Sequence, residues 1–244
     1  MTRQMELGGK TAVVAGGTSG IGEATAAAFA AAGAEVVVTG RDAARLEASA
    51  GRSGATGVVC DATSAEDRAA LAARVERADF LVLSLSGASG GGPFASLDLD
   101  GLRAAFEGKL WPQLALLQSL LPRLSDDAAV VFVSAASARA ALPGTAGLAA
   151  LNGALEAAVR PLATELAPRR VNAVSPGVID TPWWAAAPAE LREQTYSSIA
   201  ETVPAGRVGT PADVAAAILL LATNPYITGT TIAVDGGLTL PRGG

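Results

Sequence analysis

The stretch TAVVAGGTSGIGEATAAAFAAAGAEVVVTG, residues 11–40, decides the fold. Its first five residues predict a short buried strand, the alanine-rich run after the glycines predicts a helix, and EVVVT predicts a second strand. Gly16 permits a tight turn after the first strand, while Gly20 and Gly22 let the backbone approach a pyrophosphate and let the helix pack on the sheet. The N-terminus of that helix offers unpaired N–H groups and a positive dipole end to phosphates. The stretch therefore predicts a nucleotide-binding strand–turn–helix unit.

Short apolar runs alternate with helical patterns along the rest of the chain. The further candidate strands are Gly57–Cys60, Phe80–Leu83, Ala129–Ser134, Val171–Val174 and Thr231–Val234. The further helical patterns lie near Asp42–Ala50, Ser64–Glu76, Leu102–Leu121, Ala146–Leu166 and Pro211–Leu221. Because the strands are unbroken Val/Leu runs, they are expected to be buried on both faces. We predict an α/β fold of the Rossmann type: a doubly wound, seven-stranded parallel sheet with helices on both faces. No linker or repeat divides it, which indicates a single domain over residues 1–244.

Composition narrows the classes of protein to which the chain can belong. It has 244 residues, of which 50% are hydrophobic and 17% charged, so a large core is expected. The net charge of −5 disfavours a nucleic-acid partner, which needs clustered basic residues. The single cysteine, Cys60, excludes an internal disulfide. No run approaches the roughly 20 apolar residues of a membrane helix, and the apolar run near the N-terminus is too short for a signal peptide. We expect a cytoplasmic protein with no membrane partner.

Two further stretches complete a family resemblance. NAVSPGVIDTP covers residues 172–182, and GRVGTPADVAAAILLLATNPYITGTTIAVDGG covers residues 206–237. Together with the glycine turn, they make the whole chain resemble the short-chain dehydrogenase/reductase family, in particular its members similar to 3-oxoacyl-ACP reductase. Relatives build tetramers with their C-terminal region and two central helices. The resemblance implies a homotetramer or homodimer that acts on a small molecule; a hetero-oligomer with an active relative is the alternative.

The resemblance also implies a nicotinamide cofactor. After EVVVT, Gly40 stands where an NAD-specific site has a carboxylate and Arg41 follows it, which favours NADP(H). The alternative is a solvated surface arginine. Asp61 matches the residue that binds the adenine amino group in relatives. The alternative is an aspartate that only stabilises the turn after the strand. The backbone of Ile179 and the hydroxyl of Thr181 would hold the carboxamide. The cofactor-binding residues expected in full are Gly16, Thr18, Ser19, Gly20, Ile21, Gly22, Arg41, Asp61, Ala62, Ser84, Gly87, Pro176, Gly177, Ile179 and Thr181.

Residues near 181–205 match the segment that forms a substrate lid in relatives. The chain runs there through Trp183 and Trp184 and a helical stretch that reaches Pro204. Two adjacent tryptophans suggest the wall of an apolar pocket. An aromatic pair at a subunit contact is the alternative.

The stretch VFVSAASARAALPGTAGLAALNGAL, residues 131–155, departs from the family pattern. Relatives set a serine thirteen positions before a tyrosine, and a lysine four positions after it. With Pro143-Gly144 and Gly153-Ala154-Leu155 as anchors, these positions fall on Ala135, Leu148 and Asn152, while Ser134 and Ser137 flank the serine position. The family's asparagine position is Lys109. The resemblance therefore implies that the usual proton relay is missing.

The asparagine and lysine positions have exchanged residue types. Because these positions share one polar network in relatives, we hypothesise that Lys109 pairs with Asn152 and supplies positive charge beside the nicotinamide ribose. The alternative is a Lys109 side chain that extends to solvent. The chain has no histidine, which excludes the commonest substitute acid, and no metal is expected.

Two functions from different classes remain at this point. The first is an NADP(H)-dependent oxidoreductase that passes hydride to an imine, an enone or a carbonyl without the family's acid. The second is a non-catalytic NADP(H)-binding protein, either a sensor or an inert partner subunit. Non-redox catalysis in the same pocket is a third possibility without positive support in the sequence.

Overall fold

The structure is a computed structural model, and it describes residues 6–87 and 90–241. The outermost residues of the predicted 1–244 domain therefore lie outside the described part. The strands are β1 Thr11–Ala15, β2 Glu35–Gly40, β3 Thr56–Val59, β4 Ala78–Leu83, β5 Leu124–Val133, β6 Arg170–Pro176 and β7 Thr231–Val234. The helices are α1 Gly20–Ala31, α2 Ala43–Ser53, α3 Ala65–Arg74, α4 Leu99–Leu120, α5 Ala146–Glu165, α6 Ala189–Thr202 and α7 Pro211–Thr223.

All seven strands form one parallel sheet. Their order is β3-β2-β1-β4-β5-β6-β7, so the chain builds outward from β1 to β3 and then returns to place β4 on the other side of β1. This reversal puts a crevice at the carboxyl ends of β1 and β4, which is where open sheets of this kind bind ligands. The predicted fold, a doubly wound parallel sheet of seven strands, is confirmed.

The two faces of the sheet bury two separate cores. In β1, Ala12 and Val14 face a core built with α1, α2 and α7, whereas Val13 and Ala15 face a core built with α3, α4 and α5. Strand side chains alternate between faces, so a strand that is buried on both must be apolar throughout. This explains why the central strands β1 and β4 read as unbroken apolar runs. The edge strands β3 and β7 were also expected to be buried on both faces, but they are largely exposed or half-buried because each has only one neighbouring strand.

Asp79 ties the amino ends of β1 and β4 together. Its carboxylate accepts hydrogen bonds from the backbone N–H of Thr11 at 3.0 Å and from Lys10 Nζ at 2.9 Å. Burial alone would raise the pKa of Asp79, but the hydrogen bonds from Thr11, Lys10 and Arg77 bring it below its ordinary value. This cluster lies at the end of the sheet opposite the crevice, so it fixes strand register rather than forming part of the site.

Several boundaries differ from the sequence prediction, and β3 begins at Thr56 and β4 at Ala78, one and two residues before the predicted starts. β5 begins at Leu124 instead of Ala129, because Ala78 pairs with Leu124 while Phe80 pairs with Ala129, and the polar residues between interrupt the apolar pattern. β6 continues to Pro176, where pairing with Val234 of β7 extends the strand. α6 forms a helix of its own. In the described residues no helix is long and apolar enough to cross a membrane.

Candidate active site

The glycine turn packs tightly under the crevice. Gly16 has φ +76°, and a Cβ there would lie 2.5 Å from the carbonyl oxygen of Ser84. A Cβ on Gly22 would overlap the carbonyl oxygen of Gly16. The backbone N–H of Ser84 donates to Ala15 O at 3.0 Å. The turn after β1 and the residue after β4 are therefore in backbone contact, and only glycine fits at the two positions.

α1 begins without a side-chain cap, as do α5 and α6. Asp42, Ser64 and Thr210 cap α2, α3 and α7 with side-chain hydrogen bonds, whereas Ser19 precedes α1 and makes no such bond. The first N–H groups of α1 thus lack a side-chain cap and are suited to donate hydrogen bonds to a phosphate. A close glycine cradle beneath an uncapped helix N-terminus fits the pyrophosphate of a dinucleotide.

Residues at the end of β2 fit the adenosine half of such a cofactor. A Cβ at position 40 would overlap Thr18 Cγ2, so a side chain there would require the Thr18 side chain to move. Arg41 is exposed beside this edge. Hydrogen bonds from the Thr63 N–H and hydroxyl, at 2.9 and 2.8 Å, lower the pKa of Asp61, and the charge of Arg41 lowers it further. Asp61 thus holds the turn after β3, next to the buried Ala62, while its charge lies near Arg41.

The chain after β6 returns to the glycine turn. Gly177 N–H donates to Val234 O at 3.0 Å, which continues the pairing past Pro176. Ile179 is buried, its carbonyl accepts the Trp184 indole N–H at 3.1 Å, and its own N–H has no partner among the described residues. A Cβ on Gly20 would lie 3.1 Å from Thr181 Cγ2, so this loop contacts the start of α1. The expected carboxamide residues and phosphate residues therefore line one crevice.

Three aromatic side chains pack beside this crevice. The Trp183 indole N–H donates to Gly87 O at 3.3 Å, joining the 3-10 turn Pro182–Ala186 to the loop after β4. Trp184 packs edge-on against both Trp183 and Tyr196, with ring centroids 4.9 and 5.7 Å apart. Tyr196 OH donates to Asp180 Oδ1 at 3.0 Å, and burial together with this bond raises its pKa to about 12. Tyr196 therefore serves the packing of this segment and is a poor proton donor.

Lys109 and Asn152 meet at the carboxyl end of β5. Lys109 Nζ donates to Asn152 Oδ1 at 2.7 Å and to the carbonyl oxygen of Ser134 at 3.3 Å. Lys109 is 8% exposed, so it does not extend to solvent. Burial lowers the pKa of Lys109 to about 8. The pairing predicted from the exchanged residue types is present, and it joins α4 to α5.

Asn152 links this pair to the residues around it. Its Nδ2 donates to Leu148 O at 2.9 Å and to Ser137 Oγ at 3.2 Å. Leu148 lies one turn earlier on α5 and is half-buried, with its side chain close to Gly90 and Gly91. Ala135, at the end of β5, is also half-buried. The structure therefore brings Lys109, Ala135, Leu148 and Asn152 into one region, as the sequence prediction requires.

A second polar group beside this region was missed in the sequence. Glu156 accepts from Ser134 Oγ and from Arg139 Nε, each at 2.7 Å, and its side chain is 10% exposed. Leu148, Asn152 and Glu156 are spaced four residues apart on α5 and share one face. That spacing is the signal that could have revealed Glu156. The Ser134 hydroxyl is occupied, since it also lies 3.1 Å from Val174 O.

Comparisons with known proteins agree with this geometry. A family model described as enoyl-(acyl carrier protein) reductase matches residues 15–239. An uncharacterized oxidoreductase of Mycobacterium tuberculosis is 33% identical over 97% of this chain and 94% of its own. A short chain oxidoreductase from Pseudomonas aeruginosa, described as containing an atypical catalytic center, is 31% identical with a TM-score of 0.88, over 97% of this chain and 100% of its own. A small-chain dehydrogenase solved in complex with NADPH is 28% identical with a TM-score of 0.83, over 95% and 99% of the two chains.

The sheet order and the glycine cradle define an α/β protein of the dinucleotide-binding class. Within that class, the family match over most of the length and the 33% identical relative settle the assignment. The chain belongs to the short-chain dehydrogenase/reductase family of oxidoreductases, whose members bind a nicotinamide cofactor.

Proposed function

We propose that the protein is an NADP(H)-dependent oxidoreductase with a remodelled active site, in which Lys109 and Asn152 replace the usual proton relay. Its substrates are small molecules that accept hydride, namely imines, enones or carbonyls. The observation that carries this proposal is the buried Lys109–Asn152 pair. Burying an ammonium is costly, and an inert site that had lost its relay would be expected to fill with apolar side chains instead.

The residues of the crevice fit each part of the cofactor. The N-terminus of α1 would hold the pyrophosphate, Arg41 the 2′-phosphate, and Ile179 with Thr181 the carboxamide. When bound, the reduced nicotinamide would supply hydride. Holding the carboxamide decides which face of the ring is offered to the substrate, which is a contribution to rate by orientation. The NADPH-bound relative supports the choice of cofactor for this chain.

Lys109 contributes charge to the region where substrate oxygen or nitrogen would lie. An ammonium in a buried site acts through a low dielectric and stabilises negative charge that develops as hydride arrives. The proton that completes the reduction comes from solvent, since Leu148 and Ala135 have none to give. The similar oxidoreductase described as containing an atypical catalytic center supports a non-standard site in this chain.

The surrounding assignments belong to the same proposal. We place the lid at residues 181–205, where Trp183 already contacts the loop after β4. The chain acts as a single domain over residues 1–244 and assembles as a homotetramer or homodimer. A non-catalytic role, as a cofactor sensor or as the inert subunit beside an active relative, is the second candidate, and the half-buried Leu148 at the tyrosine position favours it.

The decisive experiment is a fluorescence titration with NADPH, followed by a panel of carbonyls, enones and cyclic imines monitored by loss of NADPH absorbance. We expect binding and turnover by the wild type. Lys109→Met should lower kcat at least 10-fold with NADPH affinity changed less, in line with the loss of an electrostatic contribution. Lys10→Met is the matched control, because Lys10 lies at the opposite end of the sheet against Asp79. Unfolding midpoints of both variants would exclude a loss of structure.

The alternatives give different results in the same experiment. A sensor would bind NADPH tightly and turn over no member of the panel. An inert subunit would do the same and would co-purify with a second family member. Either result overturns the proposed activity, while equal activity of Lys109→Met and the wild type would overturn the role of Lys109.

A further inference from the structure

Three side chains at the carboxyl end of β5 are joined by two hydrogen bonds that run in one direction. Lys109 donates to Asn152, and Asn152 donates to Ser137. A lysine has no acceptor, so Asn152 must present its oxygen to Lys109 and its amide hydrogens to Leu148 O and Ser137 Oγ. Chemistry therefore determines the orientation of the amide. Ser137 receives a hydrogen bond, and its own hydroxyl hydrogen has no acceptor among residues 6–87 and 90–241.

We propose that Ser137 donates the hydrogen bond that holds the substrate oxygen, with Asn152 and Lys109 behind it as positioning residues, and that the substrate is a neutral carbonyl or enone rather than a cationic iminium. This inference rests on the proposed oxidoreductase and narrows its substrate class. Ser137 lies in the short 3-10 turn Ala136–Ala138 after β5 and is half-buried, at the edge of the sheet where ligands bind.

The direction of the hydrogen bonds selects the chemistry of the ligand. Hydrogen bonds in a chain polarise one another, and this chain starts at a cation, so the Ser137 hydroxyl is a strengthened donor. Its partner must be an acceptor. A carbonyl oxygen has lone pairs, whereas the nitrogen of an iminium ion has none. Reduction adds hydride to carbon and a solvent proton to the product, and Ser137 keeps its own proton.

The charges around Lys109 also favour a neutral carbonyl or enone as the substrate. Asn152 and Ser134 face it from α5 and from the end of β5, and neither carries charge. Glu156 on α5 is paired with Arg139, and no ion pair involves Lys109 in the described part of the chain. An uncompensated ammonium repels a cationic substrate and attracts oxygen that becomes more negative.

Ser137 is a better candidate than the other serine beside Ala135. The Ser134 hydroxyl is held by Glu156 and Val174, and it would have to break the short bond to Glu156 before it could reach a ligand. Ser137 loses nothing when it donates. Ser137 lies two residues after Ala135, in the following 3-10 turn. From there its hydroxyl would take the part of the serine that relatives have at the position of Ala135.

The test compares Ser137→Ala and Ser137→Thr with the wild type, using cyclohexenone, butanedione and the N-methyl-dihydroisoquinolinium cation as probes. Ser137→Ala should lower kcat/KM for the neutral probes about 10- to 100-fold, the range for a charge-assisted hydrogen bond. NADPH affinity should be unchanged, and Ser137→Thr should recover most of the loss. Ser96→Ala is the control, because Ser96 is exposed on the short 3-10 turn that precedes α4.

Two readouts do not depend on turnover. The infrared C=O stretch of cyclohexenone bound with NADP⁺ should shift to lower frequency in the wild type and not in Ser137→Ala. Lys10 and Lys109 are the only lysines, so lysine-labelled protein gives two NMR signals and reports the titration of Lys109 directly. The infrared shift should shrink as Lys109 loses its proton.

The outcomes separate this inference from the proposed activity. Turnover of neutral probes that Ser137→Ala leaves intact overturns the inference while the oxidoreductase stands. Faster reduction of the iminium cation than of any neutral probe also overturns it. If no probe is turned over, the oxidoreductase fails, and an infrared shift that depends on Ser137 still supports Ser137 as the group that binds oxygen.

Discussion

In the proposed NADP(H) site, Arg41 is the residue on which we expect the choice of cofactor to depend. It is exposed at the edge of the crevice and follows Gly40, at which a Cβ would overlap Thr18 Cγ2. An NAD-specific site has a carboxylate at the end of β2, and this chain has glycine there. The proposed preference for NADP(H) therefore rests on the missing carboxylate at Gly40 and on the charge of Arg41, which would favour a 2′-phosphate.

Replacing Arg41 with glutamine should weaken NADPH binding about 10- to 100-fold and leave NADH binding nearly unchanged, because only the 2′-phosphate loses a charged partner. Fluorescence titrations with both cofactors measure the two affinities. Arg45→Gln is the matched control, since Arg45 is exposed four residues away and lies 3.9 Å from Asp42. An equal fall in both affinities would show that Arg41 contacts something other than the 2′-phosphate.

Among the elements, the start of α1 combines folding and binding in one place. Gly16 and Gly22 allow the turn to close against α1, and the absent cap at Ser19 leaves N–H groups for phosphate. A phosphate there would replace the missing cap, so cofactor binding should stabilise this end of the helix.

Gly22→Ala should lower the free energy of unfolding by about 1–3 kcal/mol, because the new methyl group overlaps the Gly16 carbonyl. NADPH affinity should fall at least 10-fold as the turn is forced apart. Gly51→Ala is the control: Gly51 lies inside α2 with nothing within 4 Å of a Cβ, so alanine should stabilise by up to about 1 kcal/mol. Urea unfolding of both variants gives the comparison, and a similar change in the two would argue against a close turn.

The sequence allowed most elements to be predicted, and the exceptions have physical causes. β1 and β7 were predicted to the residue, because each is bounded by turn residues. The start of β5 could not be predicted, since a polar interruption at Ser125 to Asp127 breaks the apolar run on which strand prediction depends. The exchange of Lys109 and Asn152 predicted their contact, but the part played by Ser137 depends on the direction of an amide. Such a direction follows only from tertiary structure.

At the scale of the whole molecule, two cores hold a rigid sheet and its carboxyl edge carries every candidate site residue. The Asp79 cluster joins the strands at the opposite edge. One end of the sheet therefore serves stability and the other serves function. Lys109 contributes to both, because its buried charge belongs to the proposed site and also affects the stability of the entire fold.

That effect can be measured through pH. The pKa of Lys109 falls from 10.5 to about 8 on folding, since burial disfavours its charge. Between these values the unfolded chain binds more protons than the folded one, so the free energy of unfolding should rise with pH across this window. The free-energy cost of burying the Lys109 ammonium is fully present below about pH 8. The rise is on the order of 3 kcal/mol.

The variant Lys109→Met should lack this rise, as should Lys109→Arg, which keeps a cation that does not titrate in this range. Urea unfolding at several values from about pH 7 to about pH 10 gives the difference between wild type and each variant. Tyr196, whose pKa is raised to about 12, acts in the opposite direction but is common to all three proteins and cancels in the difference. The unpaired oxygens left by methionine add an offset that does not depend on pH. If the free energies of unfolding of wild type and Lys109→Met changed in parallel with pH, Lys109 would titrate as it does in water. The buried ammonium on which the proposed site depends would then not exist.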